Sequence, residues 1–168
     1  WLPFHAPDGS LGFLVAGKPK EKGGFDREAR QWMKTACEQL FNGSLAVGAG
    51  LIKGAGRGLT PSGDDFLCGV LSALDAASRL SGKDLSERRD AVFTHSLAGN
   101  PLSNAFLGFA RRGLYAERFK ALASALLCGE PEEVEREAGR VVRFGATSGA
   151  DWLTGFSLAL DRWRGLWS

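Results

Sequence analysis

Two adjacent carboxylates, Asp64 and Asp65, follow a stretch of glycines and hydroxyl residues in the first half of the chain. The stretch reads Gly-Ala-Gly-Arg-Gly-Leu-Thr-Pro-Ser-Gly over residues 54–63, and an apolar helix pattern follows it. Backbone N–H groups at such a helix start can cradle a phosphate or carboxylate. The two carboxylates could orient an amide or, together, hold Mg²⁺. The pattern predicts a site for a small anionic metabolite, with both aspartates as candidate catalytic residues.

The candidate ligand-binding residues of this segment would supply backbone N–H groups, hydroxyls or positive charge; they are Gly56, Arg57, Gly58, Thr60, Ser62 and Gly63. The GxxxxGK[ST] order of a nucleotide-binding P-loop is missing, and no strand–helix–strand pattern supports a dinucleotide fingerprint. A tight turn that packs a helix against its neighbours would need the same glycines. Helix capping would also explain one of the two aspartates without any ligand. A ligand loop and a packing turn therefore both stay open.

The same helix start occurs again near the C-terminus, as Ala-Thr-Ser-Gly-Ala-Asp-Trp-Leu over residues 146–153. Matched pairs in an ungapped alignment include Ser62 with Ser148, Gly63 with Gly149 and Asp65 with Asp151. Two helices that begin alike could place two carboxylates around one point. Thr147, Ser148 and Asp151 are therefore further candidate ligand-binding residues. Asp65 and Asp151 could share a metal ion, but helix capping alone explains the position of Asp151 more simply.

Length, charge and cysteine content exclude several protein classes. A chain of 168 residues with 44% hydrophobic content is predicted to form one domain with a substantial core. Its net charge of +2 comes from scattered residues, so neither nucleic acid nor a membrane is expected as a partner. Three cysteines far apart, without a CxxC pair, are typical of reduced thiols in a cytoplasmic protein. Two histidines are too few for a histidine-based zinc triad.

The elements that must position these residues are predicted to be mainly α-helical. Apolar residues at helical spacing indicate about seven helices, which begin near residues 26, 62, 84, 103, 115, 131 and 149. We expect one compact helical domain over residues 26–168, with a glycine-rich loop at residues 48–63 and at most a short strand at residues 45–47. Residues 1–25 are expected to be an irregular or β remnant of a larger N-terminal region, with a short strand at residues 11–16.

Over residues 56–69 the chain resembles a bacterial family catalogued as a domain of unknown function, whose signature is GxGxGLTPSGDDxLxG. Residues 144–155 are similar to a second signature of that family, an apolar residue followed by Gly-x-Thr-Ser-Gly-x-Asp-x-Leu-x-Gly. The resemblance covers roughly residues 44–160. One member of the family is the third subunit of the oxamate carbamoyltransferase of anaerobic allantoin breakdown, an enzyme that converts oxalurate and phosphate to oxamate and carbamoyl phosphate.

The resemblance implies a cytosolic metabolic protein that binds an anion such as oxalurate or carbamoyl phosphate at the first helix start. It further implies partner subunits, with a homo-oligomer as the other option. The one candidate cofactor is Mg²⁺, which the adjacent carboxylates suggest. Two alternatives stay open. One is a non-catalytic assembly module that uses exposed aromatic residues such as Trp163 and Trp167, and the other is a Mg²⁺-dependent hydrolase. Because the later copy has Ala150 and therefore a single aspartate, the first copy is predicted to be the ligand-binding half.

Overall fold

The computed structural model describes residues 2–15 and 24–166. Within these ranges the chain forms α-helices and two 3-10 helices, at Leu11–Leu14 and Arg164–Leu166, and it contains no β-strand. The α-helices are α1 (Leu2–His5), α2 (Gly24–Asn42), α3 (Leu45–Ile52), α4 (Ser62–Ser81), α5 (Ser86–Ser96), α6 (Pro101–Arg111), α7 (Glu117–Cys128), α8 (Pro131–Val142) and α9 (Ser148–Arg162). The predicted mainly α-helical fold is confirmed. No helix of the described part is long and apolar enough to cross a membrane.

The N-terminal segment is helical where a strand is predicted. The described part of residues 11–16 forms the 3-10 helix Leu11–Leu14, and residue 16 lies outside the described ranges. The backbone N–H of Leu11 donates to Oδ1 of Asp151 in α9 over 2.6 Å. The side chain of Leu11 is buried in the main core. Since this N–H group is satisfied by a carboxylate, the segment packs against α9 without any strand partner.

Helix α3 occupies a stretch whose glycines predict irregular structure with at most a short strand. The Ser44 hydroxyl caps this helix by accepting from the N–H of Val47. A Cβ on Gly48 would collide with the backbone of Leu40 in α2, so the missing side chain lets the two helices touch. The glycine-rich loop is therefore limited to the residues between α3 and α4, instead of the predicted 48–63. Here glycine serves close packing and does not break the helix.

The expected exposure of Trp163 is wrong. This side chain is buried, its ring centroid lies 5.0 Å from that of Phe41, and its indole N–H donates to the Phe41 carbonyl oxygen. Trp163 therefore belongs to the core and is not available to a partner. Trp167, the other aromatic residue predicted for an interface, lies outside the described residues.

Helices α4 and α9 form the centre of the fold, and two glycines let their backbones touch. A Cβ on Gly69 would collide with the carbonyl oxygen of Trp152, and a Cβ on Gly155 would collide with that of Phe66. In the internal repeat Gly69 corresponds to Gly155 and Phe66 to Trp152. The two contacts are thus the same contact made twice. The repeat in the sequence becomes an approximate twofold relation between the two helices.

The repeat extends to the helices that precede α4 and α9. A Cβ on Gly63 would collide with the carbonyl oxygen of Ile52 at the end of α3. Correspondingly, a Cβ on Gly149 would collide with the carbonyl oxygen of Val141 near the end of α8. The structural unit that occurs twice is therefore a pair of helices, α3–α4 and α8–α9. In each pair the second helix begins in contact with the end of the first helix.

The substitution Gly155→Ala should destabilise the protein by about 1–3 kcal/mol, because its methyl group would meet a backbone oxygen that cannot move aside by a rotamer change. Gly50→Ala is the matched control: it lies in α3 and an added Cβ meets no atom within 4 Å. The stability of this control variant should be unchanged or higher by up to about 1 kcal/mol. Chemical denaturation of both variants and the wild type measures the difference. A Gly155→Ala variant as stable as the wild type would contradict the close helix contact.

Candidate functional site

A cavity of about 760 Å³ lies beside the starts of helices α4 and α9. Its polar lining comes from the loop before α4 and from the two helix starts, and includes Arg57, Thr60, Asp65, Thr147 and Ser148. Most of the remaining lining is apolar and comes from α6, α7, the loop between them and the segment before α9. A large apolar surface with a few convergent polar groups is the usual composition of a small-molecule site.

Several backbone N–H groups at the two helix starts have partners within the protein. In α4 the N–H of Gly63 donates to the carbonyl oxygen of Ala55 over 2.8 Å, and the N–H of Asp65 donates to that of Pro61 over 3.2 Å. In α9 the N–H of Gly149 likewise donates to the carbonyl oxygen of Phe144 over 2.9 Å. These donors are therefore not free to cradle an anion. The polar groups that face the cavity are side chains such as those of Arg57, Thr60 and Asp65.

The three aspartates of the helix starts have different surroundings. Asp64 is only 2% exposed, and its Oδ1 accepts the N–H of Gly54 over 2.7 Å, which fixes the preceding loop. Asp151 is completely buried and holds the N-terminal 3-10 helix. Asp65 is half-buried, lines the cavity and accepts from the Thr60 hydroxyl over 3.0 Å. Of the three, Asp65 is the one whose carboxyl can touch a molecule in the cavity.

Hydrogen bonds between serine hydroxyls and aspartate carboxyls connect the two helix starts. The Ser148 hydroxyl hydrogen-bonds to the Asp65 carboxyl, and the Ser62 hydroxyl hydrogen-bonds to the Asp151 carboxyl. The two pairs correspond to each other in the repeat. The Thr60 hydroxyl oxygen lies 3.4 Å from that of Ser148, so both hydroxyls surround the Asp65 carboxyl. The structure thus brings the first helix start against the second. The carboxyl of each helix is oriented by a serine of the other.

Burial raises the pKa of Asp65 to about 6. The hydroxyls of Ser148 and Thr60 lower this pKa, whereas the negative charges of Asp151 and Asp64 raise it further. Burial also raises the pKa of Asp151, against the N–H of Leu11 and nearby hydroxyls that lower it. Near neutral pH, Asp65 therefore exists in appreciable amounts both as an acid and as a carboxylate. A group in that state can donate or accept a proton or a hydrogen bond.

The predicted site residues divide into two layers. The residues that line the cavity are Arg57, Gly58, Thr60, Asp65, Thr147 and Ser148. The residues that lie outside this lining are Gly56, Ser62, Gly63, Asp64 and Asp151. Gly56 has a φ of 106°, a left-handed conformation that favours glycine, and it packs against the backbone of Ser62. Among the described residues no group of three His, Cys, Asp or Glu side chains could hold a metal ion.

The aromatic wall of the cavity is a part of the site that the sequence analysis missed. The rings of Trp152 and Phe119 stack with centroids 4.3 Å apart, and Phe144 meets Phe119 edge-on at 5.9 Å. The Trp152 indole N–H donates to the Ser72 hydroxyl over 3.2 Å. These residues come from α4, α7, α9 and the segment before α9, so their proximity depends on tertiary packing. The one sequence signal is that an aromatic residue occupies corresponding positions, 66 and 152, in the repeat.

A buried carboxylate also positions Tyr115 in the cavity wall. Asp75 is buried in α4 and accepts from Arg79 over 2.8 Å, from Arg89 over 2.7 Å and from the Tyr115 hydroxyl. Gly113, with a φ of 69°, lies against the same carboxylate. The loop between α6 and α7 is thereby tied to α4 and α5. This cluster fixes the part of the cavity wall that contains Tyr115.

Fold and site together define a mainly helical protein in which two equivalent helix starts hold one titratable carboxyl in a largely apolar cavity. The model of the family described as oxamate carbamoyltransferase subunit AllH matches residues 52–160. The chain belongs to this family, as its two signatures predict. The matched range contains both helix starts and most of the cavity wall. No solved structure matches the chain.

The raised pKa of Asp65 makes the effect of Asp65→Asn on stability depend on pH. The carboxyl titrates near pH 6 when folded and near 3.9 when unfolded. The neutral carboxyl therefore contributes its full share of folding stability below about pH 4, and this share is lost as the pH rises through 6. The free energy of unfolding of Asp65→Asn, measured relative to that of the wild type, should therefore rise by roughly 2–3 kcal/mol from pH 4 to pH 8. Urea denaturation at both pH values measures this change.

Asp84→Asn is the control for this titration. Asp84 is exposed, and its hydrogen bonds with Ser86 lower its pKa, so its ionised form is the one that favours folding. The control variant should change in the opposite direction as the pH rises. A stability difference for Asp65→Asn that does not vary with pH would contradict the raised pKa.

Proposed function

We propose that this chain contributes the substrate-binding cavity of an oxamate carbamoyltransferase, with Asp65 touching the reacting amide. The observation that carries the proposal is the Asp65 carboxyl itself, which lines the cavity between the hydroxyls of Thr60 and Ser148 and has a pKa of about 6. Membership in the family supplies the class of reaction. An amide nitrogen can donate to the carboxylate form of Asp65, and an amide oxygen can accept from its protonated form.

The proposed chemistry needs one proton at the amide nitrogen. When phosphate cleaves oxalurate, a phosphate oxygen bonds to the carbamoyl carbon, the bond from that carbon to the oxamate nitrogen breaks, and the nitrogen gains a proton. Protonated Asp65 supplies this proton, and its carboxylate takes the proton back when the reaction runs toward oxalurate. A pKa near 6 suits both directions near neutral pH. The Thr60 and Ser148 hydroxyls orient the carboxyl.

The anionic part of the substrate is assigned to Arg57. It is the one basic side chain among the described residues that line the cavity. A guanidinium can hold a carboxylate or a phosphate through two parallel hydrogen bonds. Asp64 supports the reaction from behind the cavity, because its charge raises the pKa of Asp65 and its carboxyl fixes the loop at Gly54. The proposed steps require no metal ion, so Mg²⁺ has no assigned role in them.

Asp65→Asn should lower kcat for carbamoyl phosphate formation by about 10²–10⁴-fold in the enzyme assembled with its other subunits. KM for oxalurate should change little, because the amide introduced by this substitution fills the same space as the carboxyl. Arg57→Ala should instead raise KM, since it removes the charge that holds the anion. Steady-state kinetics with oxalurate and phosphate separates the two effects.

Asp84→Asn, at an exposed carboxyl outside the cavity, serves as the control and should leave both constants unchanged. In the wild type, kcat should fall as the pH rises above about 6, because the proton donor is lost. Full activity of Asp65→Asn in the assembled enzyme would rule out the proposed role.

A further inference from the structure

Exposed apolar side chains surround the mouth of the cavity. Twelve large apolar side chains of the described chain are exposed, and half of them line this one cavity. They are Leu59, Leu102, Phe106, Phe109, Leu114 and Phe144, which we call the apolar rim. Single exposed apolar residues are ordinary on a protein surface, but a contiguous group marks a surface that binds something. The rim is therefore a second functional feature beside the polar groups of the cavity.

The proposed substrate does not account for this rim. A cavity of about 760 Å³ has the size of a site for a drug-sized molecule. Oxalurate and carbamoyl phosphate are much smaller and consist almost entirely of polar groups. A substrate bound at Asp65 would therefore leave the apolar rim and much of the aromatic wall in contact with water. Something else must cover these surfaces during the reaction.

Carbamoyl transfer itself favours a covered site. Water that reaches the carbamoyl carbon competes with phosphate or oxamate, so an enzyme of this class gains by excluding it. The cavity is bordered by the loop before α4, by α6 and by the segment before α9, and each of these contributes an exposed apolar side chain to its lining: Leu59, Phe106 and Phe144. A second chain that covers this mouth would complete the site.

The charges around the rim indicate the chemistry of that chain. The guanidinium of Arg112 lies over the ring of Phe109 at 5.3 Å, and that of Arg118 lies over the ring of Phe144 at 4.5 Å. Asp65 is the one acidic residue among the described lining residues, and it is half-buried. The rim thus presents apolar surface flanked by positive charge. Its complement is an apolar segment that carries acidic side chains beside it.

We propose that another subunit of the same transferase docks on the apolar rim, places an apolar segment in the cavity mouth and sets acidic side chains against Arg112 and Arg118. The identity of the partner rests on the proposed function and on the description of the family as a subunit. Docking closes the cavity over the substrate at Asp65. The complete site then consists of residues from two different chains.

Phe106→Glu tests the docking, because it places a negative charge on the rim at a side chain that is 44% exposed and therefore tolerates a polar group. Isothermal titration calorimetry should show that the full chain with Phe106→Glu binds the remaining subunits at least about tenfold more weakly than the wild type does. Arg112→Glu should weaken this association as well, through lost charge complementarity. The matched control is Leu80→Glu, 56% exposed and outside the cavity lining, which should change association less than about twofold.

Unchanged association for both Phe106→Glu and Arg112→Glu would overturn the proposal. It would also be overturned if the isolated chain dimerises and the rim substitutions abolish only that dimer, since the occupant would then be a second copy. Asp65→Asn separates this proposal from the proposed function, because it should leave association intact. An active Asp65→Asn enzyme would refute the role of Asp65 and leave the docking result standing.

Discussion

The contact between the backbones of α4 and α9, made at Gly69 and Gly155, determines where the groups of the site lie. Helices that touch through their own carbonyl oxygens have little freedom to slide or rotate, because any side chain at the contact would separate them. Their starts are thereby held side by side. This register is what brings the Ser148 hydroxyl to Asp65 and the Ser62 hydroxyl to Asp151. Two local sequence motifs become one site through a packing constraint.

The two helix starts that this contact holds together differ chemically. On one side the carboxyl of Asp151 is closed off by the N-terminal 3-10 helix, whose Leu11 N–H it accepts. On the other side the carboxyl of Asp65 faces a cavity, and the additional negative charge of Asp64 behind it raises its pKa further. The second copy has Ala150 at the position of Asp64 and lacks that charge. One carboxyl is therefore enclosed within the protein, while the other lines the cavity.

The sequence predicts the longer helices because their apolar residues recur with helical spacing, and it predicts the family because two signatures are intact. It does not predict α3, because glycines suggest a loop there, whereas in the fold Gly48 allows contact with Leu40 of α2. It favours the first copy because of Ala150, but it does not show that Asp65 lines a cavity while Asp151 is enclosed. Their difference arises from burial, and burial depends on the whole fold. The aromatic wall around Trp152 depends on tertiary packing in the same way.

The central claim is that a substrate amide binds between the two helix starts, against the carboxyl of Asp65. A structure of the assembled enzyme with bound oxamate tests this most directly. The account predicts that the oxamate amide lies within hydrogen-bonding distance of Asp65, beside the hydroxyls of Thr60 and Ser148, with its carboxylate toward Arg57. Oxamate bound on another subunit, with the cavity of this chain occupied only by solvent or by protein, would contradict the account.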